Sequence, residues 1–322
     1  MLKQIQQPIA QHLREFEPYF RRQMSTQIGV LNAINNHVVR RRGKLLRPML
    51  VFLSAGINGR IDEASYVAAG MIEMLHTATL IHDDVVDEAY QRRGFLSINA
   101  LWRSKAAVLV GDFMLAQGLN VAVEHGRMDM LRVINDAVQA MSQGELLQLE
   151  RARHLDLDEP TYYDIIGKKT AALFVACCRN GALAAGASPE RVALMGQLGH
   201  SMGIAFQMRD DLFDYQPHGL LGKPTGNDIR ERKLTLPLIY ALRQAPAAER
   251  KQAMSLLRRA DRPRADVEAL VRFAQQHGGL AYAEQQMLGF AQQAQELLAQ
   301  MPESDFRRSM EQLCQFVVER KK

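Results

Sequence analysis

Cysteine is nearly absent from this chain. Three occur in 322 residues: Cys177 and Cys178 side by side in AALFVACC, and Cys314 alone. No CxxC pair and no Cys/His zinc spacing is present, which argues against disulfide scaffolds and zinc modules, and the sparse, odd count fits a reducing compartment. Tryptophan occurs once. No stripe interleaves aromatic with basic residues, which argues against a nucleic-acid surface. No apolar run approaches the ~18 residues of a membrane span, and the first residues, MLKQIQQPIAQHLREF, hold no apolar stretch of signal-peptide length. These absences predict a cytoplasmic protein with at most peripheral membrane contact. Period-2 strands and a Ser/Gly/Pro linker are also missing, so one domain spanning 1–322 is expected.

What is present is helical periodicity. Apolar residues make up 47% of the chain, enough for a large core. They recur at three and four in ASYVAAGMIEMLHTATLIHDDVVDEAY, AAVLVGDFMLAQGLNVAVEHG, RVINDAVQAMSQGELLQLERA, YYDIIGKKTAALFVACCRNGALAAG, ERVALMGQLGHSMGIAFQMRDDLFDY and LTLPLIYALRQA. Several of these segments are apolar on most faces, as helices inside a large bundle are. The expected fold class is all-α: a single large helix bundle around a central cavity. The glycines of GQLGHSMG (Gly196, Gly199, Gly203) have no strand before them, so close helix packing explains them better than a phosphate loop. From about residue 247 the chain is richer in Gln, Arg and Glu and reads as amphipathic outer helices.

Two stretches break the apolar pattern. LIHDDVVDEAYQRRG carries Asp83, Asp84 and Asp87, and FQMRDDLFDY carries Asp210, Asp211 and Asp214. Both have the spacing D-D-x-x-D. A helical residue turns about 100°, so the i and i+4 aspartates share a face and the middle one flanks them. Like charges this close need a cation, or they take up protons. A solvated helix end accounts for one such comb but poorly for two. Oxygen-only ligands suit Mg²⁺, which prefers one or two carboxylates plus substrate phosphates to an all-protein cage. Two combs across a cavity would hold several Mg²⁺ around a diphosphate. Fixed cations stand near by: Arg92 and Arg93 after the first comb, Lys44 and Arg47 around the turn closed by Pro48, Lys168, Lys169 and Thr170 in an apolar helix, and Lys223 and Lys233 after the second comb. Arg offers phosphate a forked donor pair, and Lys offers a point charge.

These motifs in this order resemble the trans-polyprenyl diphosphate synthases, the all-α prenyltransferases of the farnesyl diphosphate synthase type. The resemblance runs from the Gly43–Pro48 turn to the terminal QFVVER. It implies that Asp83, Asp84, Asp87, Asp210, Asp211 and Asp214 hold two or three Mg²⁺ on an allylic diphosphate. It implies that Arg92, Lys169, Thr170, Gln207, Lys223 and Lys233 contact that substrate, and that Lys44, Arg47, His76 and Arg93 bind isopentenyl diphosphate. It also implies a homodimer. The family's Gly-Gly-Lys-Arg-x-Arg-Pro turn is altered here, with Arg42 and Leu45 in place of a Gly and an Arg, so altered affinity is expected. Short-chain members are expected to close the pocket with bulky aromatics about a turn before the first comb. Here Ala78 and Thr79 are small, with Leu75, Met74 and Met71 behind them, which predicts a long product of about C30–C50, octaprenyl for choice, of the kind used for quinone side chains.

Other readings fit less well. Glu73 and His76 form the E-x-x-H of di-iron bundles, but a second copy is missing. A class I terpene cyclase shares one D-D-x-x-D but not the second. A non-catalytic partner subunit would be expected to lose aspartates that this chain keeps.

Overall fold

Short polar residues begin three of the helices. The Asp62 carboxylate accepts from Ala64 N–H (3.1 Å), Ser97 Oγ from Ala100 N–H (3.1 Å) and Asp158 from Thr161 N–H (2.9 Å). Each satisfies a backbone donor that a helix start leaves open. The computed structural model describes residues 2–40, 45–86, 91–92, 95–155, 158–216, 226–259 and 261–320, and of 39, 40, 91, 92, 95 and 96 the backbone alone. In chain order the helices are α1 (Leu2–Ile5), α2 (Ala10–Gln23), α3 (Gly29–Arg40), α4 (Leu46–Asn58), α5 (Glu63–Val86), α6 (Ile98–Glu124), α7 (Met128–His154), α8 (Glu159–Ile166), α9 (Ala172–Ala184), α10 (Pro189–Asp214), α11 (Asn227–Arg230), α12 (Leu236–Gln244), α13 (Ala247–Arg258), α14 (Arg264–Gln276), α15 (Gly279–Ala299) and α16 (Asp305–Glu319). A π-turn, Gly167–Ala171, joins α8 to α9. Among the described residues, extended structure amounts to one antiparallel ribbon, β1 (Gln91–Arg92) and β2 (Phe95–Leu96), with Arg92 opposite Phe95. The all-α expectation is borne out.

The chain divides into two compact units: 1–136 with 176–196 and 301–310, and 137–175 with 197–300 and 311–322. Four of the five boundaries fall inside α7, α9, α10 and α16. A division made within helices leaves no linker to read in the sequence.

In the first unit, α4 is buried from Pro48 through Ile57. Phe52 meets Phe16 of α2 edge-on (centroids 5.9 Å apart) and Tyr66 of α5 (5.1 Å), a favoured aromatic geometry. Helix α6 lies close against α5 because Gly118 has only Met71 and Met74 beneath it. This helix corrects one expectation. Its 27 residues reach a mean hydropathy of 1.6 over an 18-residue window, enough in length and composition to cross a bilayer, with 39% of that window buried. Scattered polar residues such as Asp112, Gln117 and Asn120 hide this when only unbroken apolar runs are sought. The helix is broken near its start at Arg103, where φ is 66°.

The second unit packs α12 against α14 and α15. Leu236, Leu238, Leu270, Ala274 and Met287 form a continuous core with Leu212 and Val317. The glycines of α10 are contact residues, as expected. A Cβ on Gly199 would stand 2.6 Å from the Phe174 carbonyl oxygen, and one on Gly203 2.5 Å from Ala171 Cα.

This packing is testable. Gly199→Ala should cost about 1–3 kcal/mol, because backbone must move to admit one methyl. Gly289→Ala, at an exposed α15 site with nothing within 4 Å of the new Cβ, should gain about 0.5–1 kcal/mol. Urea denaturation of the two variants measures both, and the opposite ranking would refute the packing account.

Candidate functional site

The second comb ends α10, and a cavity of about 140 Å³ opens beside it. Its walls include Lys169, Thr170, Gln207, Asp211 and Lys233, together with Gln148, Tyr162 and Asp228. The first five were expected from sequence to be site residues, and they come from the π-turn, α10 and the segment after α11. The volume is well below the ~300–1,000 Å³ of a drug-sized ligand site, so the cavity is sized for a polar headgroup. The π-turn re-aims its residues, as such turns often do at functional sites. Lys168 turns to Asp164 (2.7 Å). Its neighbour Lys169 lines the cavity, donates to Gln148 Oε1 (2.7 Å) and pairs with Glu145.

A hydrogen-bonded chain crosses the floor. Thr170 Oγ1 donates to Gln207 Oε1 (2.6 Å), Gln207 Nε2 to Asp211 Oδ1 (2.8 Å), and Tyr162 Oη to Asp211 Oδ2 (2.7 Å). Burial pushes the Asp211 carboxyl up to about 7, and the nearby Asp228 adds to it, while Gln207 and Tyr162 act the other way. Asp228 is likewise raised, to about 6, by burial and then by Asp214, against the pull of Lys233 and Lys169. The third aspartate has a framework role. Asp214 accepts from the backbone N–H groups of Asn227 (3.0 Å) and Asp228 (2.9 Å) and so caps α11. Asp210 is the accessible member of this comb, its side chain 41% exposed.

In the first unit, Asp83 is exposed and Asp84 buried at the end of α5. Asn99 reaches the Asp84 carbonyl (3.3 Å). Met71, Met74, Leu75 and Ala78 are buried along α5, and His76 and Thr79 are half-buried. Arg47 stands in the first turn of α4, entered through Leu45 in the left-handed region (φ 52°). Arg47 and Glu73 act in opposite directions on the buried Cys177 thiol, which burial pushes up to about 12. Lys44, Asp87, Arg93 and Lys223 lie outside the described residues, and Arg92 is described by backbone alone, in β1.

The donor set fits a hard cation. Carboxylates supply oxygen only, and Asp211 and Asp228 are raised first by burial and then by neighbouring carboxylates, a setting that a bound cation would relieve. Among the described residues no three His, Cys, Asp or Glu side chains form a ready-made cage, and Mg²⁺ does not require one when phosphate and water complete its shell.

Sequence reasoning missed Tyr162, Gln148 and Asp228. Asp228 had a visible signal, a carboxylate in the polar segment GNDIRERK directly after the second comb. Tyr162 had none, because it reaches Asp211 only through the fold.

An all-helical scaffold bearing acidic oxygen clusters beside lysines is the arrangement expected of helical transferases that act on diphosphates. Comparison with known proteins narrows it. Residues 29–274 match the family described as polyprenyl synthetase. The chain is 34% identical to the all-trans-nonaprenyl-diphosphate synthase (geranyl-diphosphate specific) of Rhodobacter capsulatus, over 97% of this chain and 96% of that one. It is 32% identical to the octaprenyl diphosphate synthase of Escherichia coli, over 99% of each. The crystal structure of a decaprenyl diphosphate synthase from Rhodobacter capsulatus superposes with a TM-score of 0.93 at 35% identity, covering 99% of both chains. The chain therefore belongs to the polyprenyl synthetase family, and the prenyltransferase reading of its sequence is borne out.

The raised Asp211 value carries a stability prediction. An acid whose folded value lies above its unfolded one binds more protons when folded, so stability is greatest at low pH and falls as pH rises from about 4 to 7. Asp211→Asn should remove that slope in metal-free protein and raise Tm more at pH 8 than at pH 5. Thermal melts in EDTA across this range measure it, and an equal gain at both pH values would contradict the assignment.

Proposed function

We propose that the protein is a Mg²⁺-dependent trans-polyprenyl diphosphate synthase. It lengthens an allylic diphosphate by successive head-to-tail additions of isopentenyl diphosphate to a long all-trans product, octaprenyl for choice, for a quinone side chain. One observation carries the reading: Lys169, Thr170, Gln207, Asp211 and Lys233, distant in sequence, line one headgroup-sized cavity.

The chemistry follows from the residues. Lys169 and Lys233 supply fixed positive charge to an allylic diphosphate, and Arg92 and Lys223 are assigned to the same substrate. Bound Mg²⁺, on Asp83, Asp84 and Asp87 and on the second comb, would neutralise charge on the departing diphosphate. Within that comb Asp210 is the accessible ligand, and Asp211 and Asp214 hold the frame. Lys44, Arg47, His76 and Arg93 are assigned to isopentenyl diphosphate. When the allylic C–O bond breaks, the carbocation must be kept from water. The double bond of isopentenyl diphosphate attacks the cation, and a proton leaves to the released diphosphate. The tail runs back along α5 past Ala78 and Thr79 toward Leu75, Met74 and Met71, small or flexible side chains that leave room for a long chain.

A homodimer, one domain per chain and a cytoplasmic location belong to the same proposal. Leu101, Val108, Leu109, Leu119 and Val123 form an exposed apolar strip on α6. The charged Lys105 and Asp112 on the same face suit a second copy of the chain better than lipid. The three buried free cysteines suit a reducing compartment, and membrane contact is then peripheral.

The test is product analysis. With Mg²⁺, farnesyl diphosphate and labelled isopentenyl diphosphate, mass spectrometry should find a product of about C30–C50. Asp84→Ala and Asp210→Ala should each lose about two or more orders of magnitude in turnover, the several kcal/mol that metal assistance is worth. Ala78→Phe should shorten the product while sparing the first condensations. A C15–C20 product from the unaltered chain would favour a short-chain synthase, and an unchanged spectrum from Ala78→Phe would show that the tail takes another path.

A further inference from the structure

Arg320 lies one residue beyond α16, and its side chain is 18% exposed. Its guanidinium carbon lies over the Phe206 ring, 3.8 Å from the centroid. Nη2 donates to the Phe206 carbonyl (3.2 Å) and to Asp210 Oδ1 (2.6 Å). The backbone is fixed as well. Arg209 donates from Nε and Nη2 to the Arg320 carbonyl and itself lies over Phe213. Phe206, Arg209, Asp210 and Phe213 are spaced at three and four along α10, so one helical face receives the end of the chain.

Stability alone does not explain this arrangement. Burial works against the guanidinium's charge, and its Nε is buried without an acceptor, which is a cost to folding. What the arrangement achieves is orientation. Asp210 is the accessible aspartate of its comb, and an exposed carboxylate on its own samples several rotamers. A planar, ring-stacked guanidinium holding Oδ1 leaves it far fewer, and ligating carboxylates depend on such outer partners.

We propose that Arg320 is a positioning residue for Asp210. It holds the carboxylate in the orientation in which it meets a divalent cation, and the residue after α16 thereby becomes part of the machinery. This rests on the reading of the second comb as a Mg²⁺ site.

The test is calorimetric titration of Mg²⁺ into the full chain with inorganic diphosphate present, beside steady-state kinetics. Arg320→Gln should raise the half-saturating Mg²⁺ concentration about tenfold or more, the usual scale for loss of an outer partner. Arg320→Lys should recover part of that loss, and the melting temperature in EDTA should stay within a few degrees of the unaltered chain. The KM for the allylic substrate should rise more than that for isopentenyl diphosphate. Unchanged Mg²⁺ affinity in Arg320→Gln overturns the proposal. So does tighter binding, which would make Arg320 a competitor of the cation. If Asp210→Asn takes up Mg²⁺ and diphosphate as the unaltered chain does, the reading of the comb itself fails and the proposal falls with it.

Discussion

Carboxylates crowded onto the ends of apolar helices are the constraint that the described site answers to. A charged group beside a hydrocarbon core must be paired, protonated or bound to a cation. The second comb answers in three ways. Asp211 takes hydrogen bonds from Tyr162 and Gln207 and has its titration raised toward neutrality. Asp214 is neutralised in part by two backbone N–H groups. Asp210 pairs with Arg320. None of these answers would be needed if the carboxylates were spread over the surface.

The rest of the second unit makes that crowding tolerable. Gly199 and Gly203 let α10 approach Phe174 and Ala171 at backbone distance, which fixes the helix that bears the comb. The π-turn at Gly167–Ala171 shifts the register of its helix. One lysine then faces Asp164 while the next faces the cavity. A regular α-helix through the same residues would carry the same composition with a different aim.

Much of this was legible in the sequence, and the reasons are local. The period of α10 and the D-D-x-x-D spacing are properties of neighbouring residues, so the helix and its comb could be read together. The Asp228 carboxylate could have been read in the same way. The π-turn could not, since GKKTA sits inside a continuous helical pattern and only hydrogen-bond geometry distinguishes it. Tyr162 and Arg320 were invisible for a second reason. Their partners, Asp211 and Asp210, are 49 and 110 residues away, and nothing in composition or period encodes such a pairing. The hydropathy of α6 was missed for a third, because polar residues interrupt its apolar run without lowering its mean.

The two combs share more than spacing. In each, the first aspartate is more exposed than the second, which is 5% exposed: Asp83 before Asp84, and Asp210 before Asp211. A rotation of about 100° between neighbours produces this division whenever the helix buries the side on which the second aspartate falls. Adjacent aspartates on a half-buried helix therefore differ in kind. One is open to solvent, and the other is buried, as Asp211 is where it accepts from Tyr162 and Gln207. That the same difference in exposure occurs on α5 and on α10 follows from how each helix is buried, rather than from negative charge as such.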